Sequence, residues 1–259
     1  MGISRILTAI IMDVKEIGES DLLVTFFTKE KGKLIGIAKG AKRSKHRFFN
    51  CLDLFCLVSI ELELRKNKDI CFLHSCKLID PFAYIRESYT YFVIASYIVE
   101  LANLLFPIGV EDEAMFQLIN NSFELLRKNF DAEKVLANYE AKAMAIGGYR
   151  INLEKCQICG RAYKGEGMGA FLAYKGGISC LRCVKNPASA IILEPHEIKT
   201  LRLLQSPLFK IESSDIELNP SVLKKIRNIL SMHIVHILGT QLKTKKFIDS
   251  LFPAVLQAV

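Results

Sequence analysis

The 259 residues are 51% hydrophobic and 24% charged, with only 15 Gly and 7 Pro, which excludes a disordered, collagen-like or low-complexity chain and leaves a globular protein. Lys and Arg outnumber Asp and Glu by 35 to 27, and the resulting net charge of +8 favours a polyanionic partner, either nucleic acid or an anionic membrane. The most apolar stretch, 92–106, is interrupted by Ser96, Glu100 and Asn103, and it falls short of the about 20 residues that a membrane span requires. No secretory signal opens the chain, and the eight cysteines therefore read as thiols or metal ligands in a cytosolic protein.

The first 80 residues alternate with a period of two. Segments 6–14, 22–28, 33–39, 53–65 and 70–78 are rich in branched and aromatic residues and are separated by polar or Gly-containing turns. In the fourth, Leu54, Cys56, Val58, Ile60, Leu62 and Leu64 alternate with polar neighbours, as in a strand with one buried face. Residues 29–32 and 66–69 are expected to make hairpin turns. Five strands in this length suit a small closed barrel of the OB type.

After Asp80-Pro81 the period becomes helical, with helices expected over 84–106, 111–128 and 132–146, the last closed by Gly147-Gly148. Residues 149–190 are a Cys- and Gly-rich insert without long periodicity. Helices resume after Pro195, and Asn219-Pro220 opens one whose apolar stripe runs Val222, Leu223, Ile226, Leu230, Ile234, Ile237 and Leu238 before Gly239. The expected architecture is an α+β multidomain chain: an OB-fold nucleic-acid-binding domain at 1–80, and a helical domain at 81–259 with a four-cysteine zinc module inserted at 150–190.

The sharpest chemical signal is Cys156-Gln-Ile-Cys159 followed by Cys180-Leu-Arg-Cys183. Two residues between thiols let one tight turn present both to a single ion, and two such turns fill a tetrahedral site, so one structural zinc is expected. Two further pairs, Cys51 with Cys56 and Cys71 with Cys76, have five-residue offsets that place their members on opposite faces of a continuous strand. They read as small core residues.

Between 29 and 47 the chain holds eight Lys or Arg and one Glu, while the flanking parts of the first 80 residues are slightly acidic. The focused charge marks Lys29, Lys31, Lys33, Lys39, Lys42, Arg43, Lys45 and Arg47 as candidate nucleic-acid contacts, against the alternative of a solvated basic loop. Phe48 and Phe49 could stack on bases, although an aromatic pair here also suits the core. His233 and His236 on the last long helix read as a core histidine and its neighbour rather than as metal ligands. No phosphate-binding loop, HExxH or zinc-deaminase pattern is present in the sequence, and no catalytic residue is assigned.

The segments FFTKEKGKLIGIAKGAKRSKHR, NYEAKAMAIGGYRINLEKCQICG, GGISCLRC and HILGTQLKTKKFID follow one another as do the landmarks of the RecO family, which the chain resembles over essentially its whole length. In that family an OB-fold precedes a helical domain with a zinc-binding insert. The resemblance implies a non-enzymatic DNA repair and recombination mediator of the RecFOR pathway. Such a protein binds single- and double-stranded DNA and anneals complementary strands without ATP. It engages the single-strand DNA-binding protein SSB, acts with RecR to help RecA load on coated strands, and is linked to RecF. Lys39, Lys42, Arg43, Lys45 and Arg47 are the DNA contacts that the resemblance carries over, and Cys156, Cys159, Cys180 and Cys183 the zinc ligands. A cytoplasmic, nucleoid-associated location follows from that role. An RNA-binding OB and zinc-ribbon protein, a metal-dependent nuclease and a protein scaffold are the alternatives, because a basic loop does not itself tell RNA from DNA.

Overall fold

The computed structural model describes residues 3–64, 70–184, 190–213 and 219–253. They fall into two compact units, Met1–Lys128 and Asn129–Val259. This division follows packing, whereas the expected boundary near 80 follows the change of period from strand to helix.

In the first unit, β1 (Ile3–Ile17), β2 (Asp21–Thr28), β3 (Gly32–Ala38), β4 (Leu57–Leu64) and β5 (Ile70–Asp80) close into a five-stranded barrel in the order β1-β2-β3-β5-β4. Closure depends on the length of β1. Residues 3–10 pair with β4 and residues 9–17 with β2, so Ala9 and Ile10 are shared by both neighbours, and the β2 pairing has an irregularity between Ile11 and Asp13. Such a bulge bends the strand and lets one ribbon serve two neighbours. The pairing of β3 with β5 is the one parallel contact in the barrel, and the chain makes it by the long excursion through 39–56 and β4. Arg65 and the expected turn at 66–69 lie outside the described residues.

The fourth strand begins at Leu57, later than its alternation implies. Asn50 and Phe55 adopt left-handed backbone (φ 53 and 71), and the Phe55 amide donates to the Ile11 carbonyl at 2.9 Å, so 50–56 is a folded connection that imitates strand spacing. A second irregularity corrects the reading of the barrel cysteines. Pairing jumps from Glu61↔Ser75 to Leu62↔Leu73, leaving His74 as the extra residue, so Cys71 and Cys76 both face inward instead of to opposite sides. With Cys51 and Cys56 they are buried in the barrel core, as small apolar residues would be.

Helices α1 (Ala83–Glu87), α2 (Tyr89–Leu105) and α3 (Glu113–Arg127) complete this unit. The helix expected over 84–106 is broken at Ser88, whose extended backbone places its hydroxyl to accept the Tyr91 amide at 3.3 Å as an N-cap. An aromatic cluster binds the helices to the barrel: Phe55 meets Phe92 and Phe123 edge-on at 5.5 and 6.0 Å, and Phe27 meets Phe106 at 5.9 Å. Gly32 marks another contact. Its φ of 61 is left-handed, and a Cβ there would sit 1.8 Å from the Val110 carbonyl oxygen, so the segment after α2 reaches the barrel only where a side chain is absent.

The second unit comprises α4 (Ala132–Ile146), a small antiparallel sheet in the order β7-β6-β8, formed by β6 (Gly169–Leu172), β7 (Gly177–Cys180) and β8 (Ile191–Leu193), and then α5 (Pro195–Leu204), α6 (Pro220–Leu238) and α7 (Lys245–Leu251). The signals for α6 act as expected: the Asn219 side chain accepts the Ser221 amide at 3.0 Å, and Gly239 ends the helix with left-handed backbone, φ 66. Val222, Leu223, Ile226, Leu230 and Ile234 of the stripe are buried. Between α6 and α4 lies a charge cluster in which Arg227, 9% exposed, reaches Glu133 at 3.1 Å and Glu140 at 4.0 Å and stacks over Phe252 at 5.0 Å.

Arg227→Ala is expected to destabilise the protein by about 3–5 kcal/mol, because two carboxylates lose their buried counter-ion. Denaturant unfolding of the two proteins measures the difference.

Candidate metal centre and nucleic-acid interface

The candidate metal centre is built from two short turns that meet at the β7 edge of the small sheet. In the first, the Cys156 amide donates to the Arg161 carbonyl at 2.8 Å and the Gly160 amide to that of Cys156 at 3.0 Å, a hairpin that brings Cys156 and Cys159 together. The second stands at the end of β7, where the Cys183 amide donates to the Cys180 carbonyl at 2.9 Å. A strap joins them: the Gln157 amide donates to the Ile178 carbonyl at 2.9 Å.

The four Sγ atoms consequently lie within 4.8 Å of one another, with Cys159 to Cys180 at 3.9 Å and Cys180 to Cys183 at 3.4 Å. Thiolates about 2.3 Å from one tetrahedral ion would be spaced by about 3.8 Å, so the donor set fits a metal ion. Burial pushes the Cys156 thiol up, but the Cys159 amide, the Ser179 hydroxyl at 3.1 Å and the Cys180 and Ile158 amides outweigh it and bring it down to about 5. Cys183 is pushed up to about 12 by the neighbouring thiols of Cys180 and Cys159. The amides and hydroxyl around Cys156 thus favour its thiolate, the form that ligates a metal. A four-thiolate shell leaves no position for water, and the chemistry available is cross-linking. Among the described residues these four are the group of His, Cys, Asp or Glu that converges in this way; the barrel cysteines do not. His233 is buried, its Nε2–H donates to the Tyr149 carbonyl at 2.7 Å and burial lowers its pKa, which makes it a neutral core residue.

The basic run divides between the two ends of β3. Lys29 and Lys31 pair with Glu113 (3.4 Å) and Glu111, and Lys33, 8% exposed, donates from Nζ to the Asn103 carbonyl at 2.6 Å. Desolvation lowers the Lys33 pKa. These three lysines brace α2, α3 and the segment between them against the barrel.

The other five lie about 20 Å along the strand, since Lys33 and Lys39 are six residues apart. There the connection 39–56 is anchored in the barrel core by Ala41, Phe48, Cys51, Leu52 and Cys56, and the first two bracket the cations. The Lys42 amide donates to Ser20 in the β1–β2 turn at 3.0 Å, and the Arg47 carbonyl accepts from the Cys76 amide at 2.8 Å. Between those pins Lys42, Arg43, Lys45, His46 and Arg47 are exposed, and Lys39 precedes them. Acids soften part of the charge, because Lys42 meets Glu16 at 2.7 Å and Arg43 meets Glu19 at 3.6 Å. Lys39 lies over Phe72 at 5.6 Å, and the Arg47 guanidinium donates to the Lys39 carbonyl at 2.9 Å. Lys45 and His46 have no such partner among the described residues.

Two features of this surface escape a reading by charge alone. Phe48 is core, whereas Phe49, in the turn before the left-handed Asn50, is 63% exposed; no periodicity in this bend separates the two rings in the sequence. Asp21 shapes the loop by accepting the Gly40 amide at 2.8 Å, and this bond, then that from Ser20, holds its carboxyl below the ordinary value.

Fold and site together define a class: an OB-type barrel protein with a helical C-terminal part that carries a four-cysteine metal-binding cluster. Residues 4–82 match the family model for the recombination protein O N terminal, and residues 86–246 match the one for the recombination protein O C terminal. DNA repair protein RecO of Syntrophus aciditrophicus is 30% identical over 90% of each chain, and that of Anaeromyxobacter sp. strain K is 29% identical over 95% of this chain and 96% of its own. DNA repair protein RecO of Syntrophobacter fumaroxidans is 32% identical over 76% of this chain and 77% of its own. The chain belongs to the recombination protein O family. No helix among the described residues is long and apolar enough to cross a membrane.

Chelation, or Cys159→Ser, is expected to release the metal and loosen residues 150–184 while the barrel stays folded; metal analysis with amide exchange reports both. The Asp21 carboxylate stabilises the folded loop above its unfolded pKa of about 3.9, and the contribution is lost as pH falls through its lower folded value. Asp21→Asn should therefore be less stable than the parent near neutral pH, and the gap should close in acid, as paired unfolding curves would show.

Proposed function

We propose that this chain is a non-enzymatic DNA repair and recombination mediator that binds single- and double-stranded DNA and anneals complementary strands without ATP. The observation that carries the reading is the connection 39–56, which is pinned by Ala41 and Phe48 so that the cations between them and Phe49 stand outside a closed barrel. Lys39, Lys42, Arg43, Lys45 and Arg47 contact phosphates, and Phe49 stacks on an unpaired base. Lys29, Lys31 and Lys33 act from behind, by holding the helices to the barrel. Residues 1–80 serve as the nucleic-acid-binding domain and 81–259 as the helical domain. The insert at 150–190 holds one structural zinc through Cys156, Cys159, Cys180 and Cys183.

Annealing suits such a surface, because neutralising phosphates lowers the repulsion between two strands and leaves base pairing to drive their union. Family membership supports the wider role: action with RecR, engagement of SSB, help for RecA loading on SSB-coated DNA, and a link to RecF, in the cytoplasm at the nucleoid.

The test is the annealing rate of two complementary labelled oligonucleotides without ATP, across a salt series. Five phosphate contacts imply a binding slope of about −3.5 in log–log salt terms for a single strand. Acceleration that fades with salt, and is lost in the protein carrying Lys39→Glu and Lys45→Glu, is the expected result. Equal affinity for matched RNA and DNA, without annealing, would transfer the reading to RNA.

A further inference from the structure

We propose that the four-cysteine module is a second nucleic-acid-binding surface, which takes single-stranded segments separately from the barrel loop. The inference rests on the reading of the protein as a nucleic-acid binder. Residues 149–184 hold six Lys or Arg against two acids, and one of the acids, Glu154, is engaged by Arg202 at 3.3 Å. Four thiolates around a dication carry two negative charges. The module therefore keeps a positive surplus even when loaded.

Placement makes that surplus a surface. The two cysteine turns lie side by side, so Arg161, just after Cys159, and Arg182, between Cys180 and Cys183, flank the same ion position. Lys155, Arg161, Lys164 and Arg182 are exposed, and none has an acidic partner within ion-pair distance among the described residues. This differs from Lys42 and Arg43 of the barrel loop, each of which already faces a glutamate. A surface built only for solubility intersperses both signs.

The apolar side of the module specifies the kind of polyanion. Tyr174, 63% exposed in the turn between β6 and β7, carries the Lys175 ammonium over its ring at 5.7 Å. With Ile158, Phe171 and Met232 it lines a cleft of about 520 Å³, large enough for a nucleobase. The Lys175 ammonium beside an open aromatic ring and an apolar cleft matches a phosphate next to an unstacked base, which a single strand offers and a duplex does not. A chain with two such surfaces holds two strands at once.

Full-length, metal-loaded protein carrying Arg161→Glu and Arg182→Glu is titrated with a fluorescent oligo-dT across a salt series, next to the Lys39→Glu, Lys45→Glu protein. Metal content and thermal unfolding are read on the same samples. The module variant is expected to remain folded and loaded, to show a salt slope shallower by about 1.4, at about 0.7 for each of two lost phosphate contacts, and to fail to tether a second, non-complementary strand to an immobilised first one. Tyr174→Ala removes no charge and should weaken capture of the second strand about tenfold at unchanged slope. A loaded, folded module variant that tethers normally with the parent's slope overturns this inference, and the loop variant's loss of binding would leave the proposed function intact. Normal binding by both variants overturns both. Tighter retention of a poly-glutamate peptide than of an oligonucleotide of equal charge also overturns it.

Discussion

Barrel closure through β1 is the constraint on which the first unit depends. One 15-residue strand must pair with β4 over residues 3–10 and with β2 over residues 9–17, and the irregularity after Ile11 bends it just past the two residues that both neighbours share. Without that bend the sheet would keep two open edges and the interior residues Ile11, Val24, Phe26, Ile60 and Leu62 would remain wet. Closure also dictates that the chain leave the barrel after Ala38 and return as β4, and this excursion carries the basic loop. The loop is held by its ends: Ala41 and Phe48 go into the core, and the cations between them can only point outward.

In the second unit a metal ion held by the four cysteines would replace what the sheet is too small to provide. Strands of three and four residues bury little apolar area, and the two cysteine turns are bound to one another by a few backbone hydrogen bonds. An ion held by four thiolates adds a cross-link where a core is missing. The helices around it rely on ordinary packing, with the Arg227 cluster as the polar exception.

Much of the fold was legible because its signals are local. Two-residue alternation located the five strands, Asn219-Pro220 and Gly239 bounded α6, and the spacing of Cys156, Cys159, Cys180 and Cys183 singled out the four thiols that the fold brings together. The errors arose where a local pattern has two tertiary solutions. Leu54 and Cys56 continue the alternation of β4, yet Phe55 turns left-handed to reach Ile11. Ser88 looks like one polar residue in a helix and is instead the cap of a new one. A single extra residue at His74 moves Cys71 and Cys76 to the same side.

The sequence by itself determined the order of barrel, helices and cysteine-rich insert, which four thiols cluster, and the stretch where positive charge concentrates. These depend on composition and short spacings, which any folded form of the chain must respect. Only the tertiary structure decided how the charge is used. Lys29, Lys31 and Lys33 look like Lys39 to Arg47 in the sequence, but β3 carries them to the opposite end of the barrel, where Glu111, Glu113 and the Asn103 carbonyl occupy them. Whether a cation is open to a phosphate depends on which acids the fold brings beside it, and those acids are about 80 residues away in the chain.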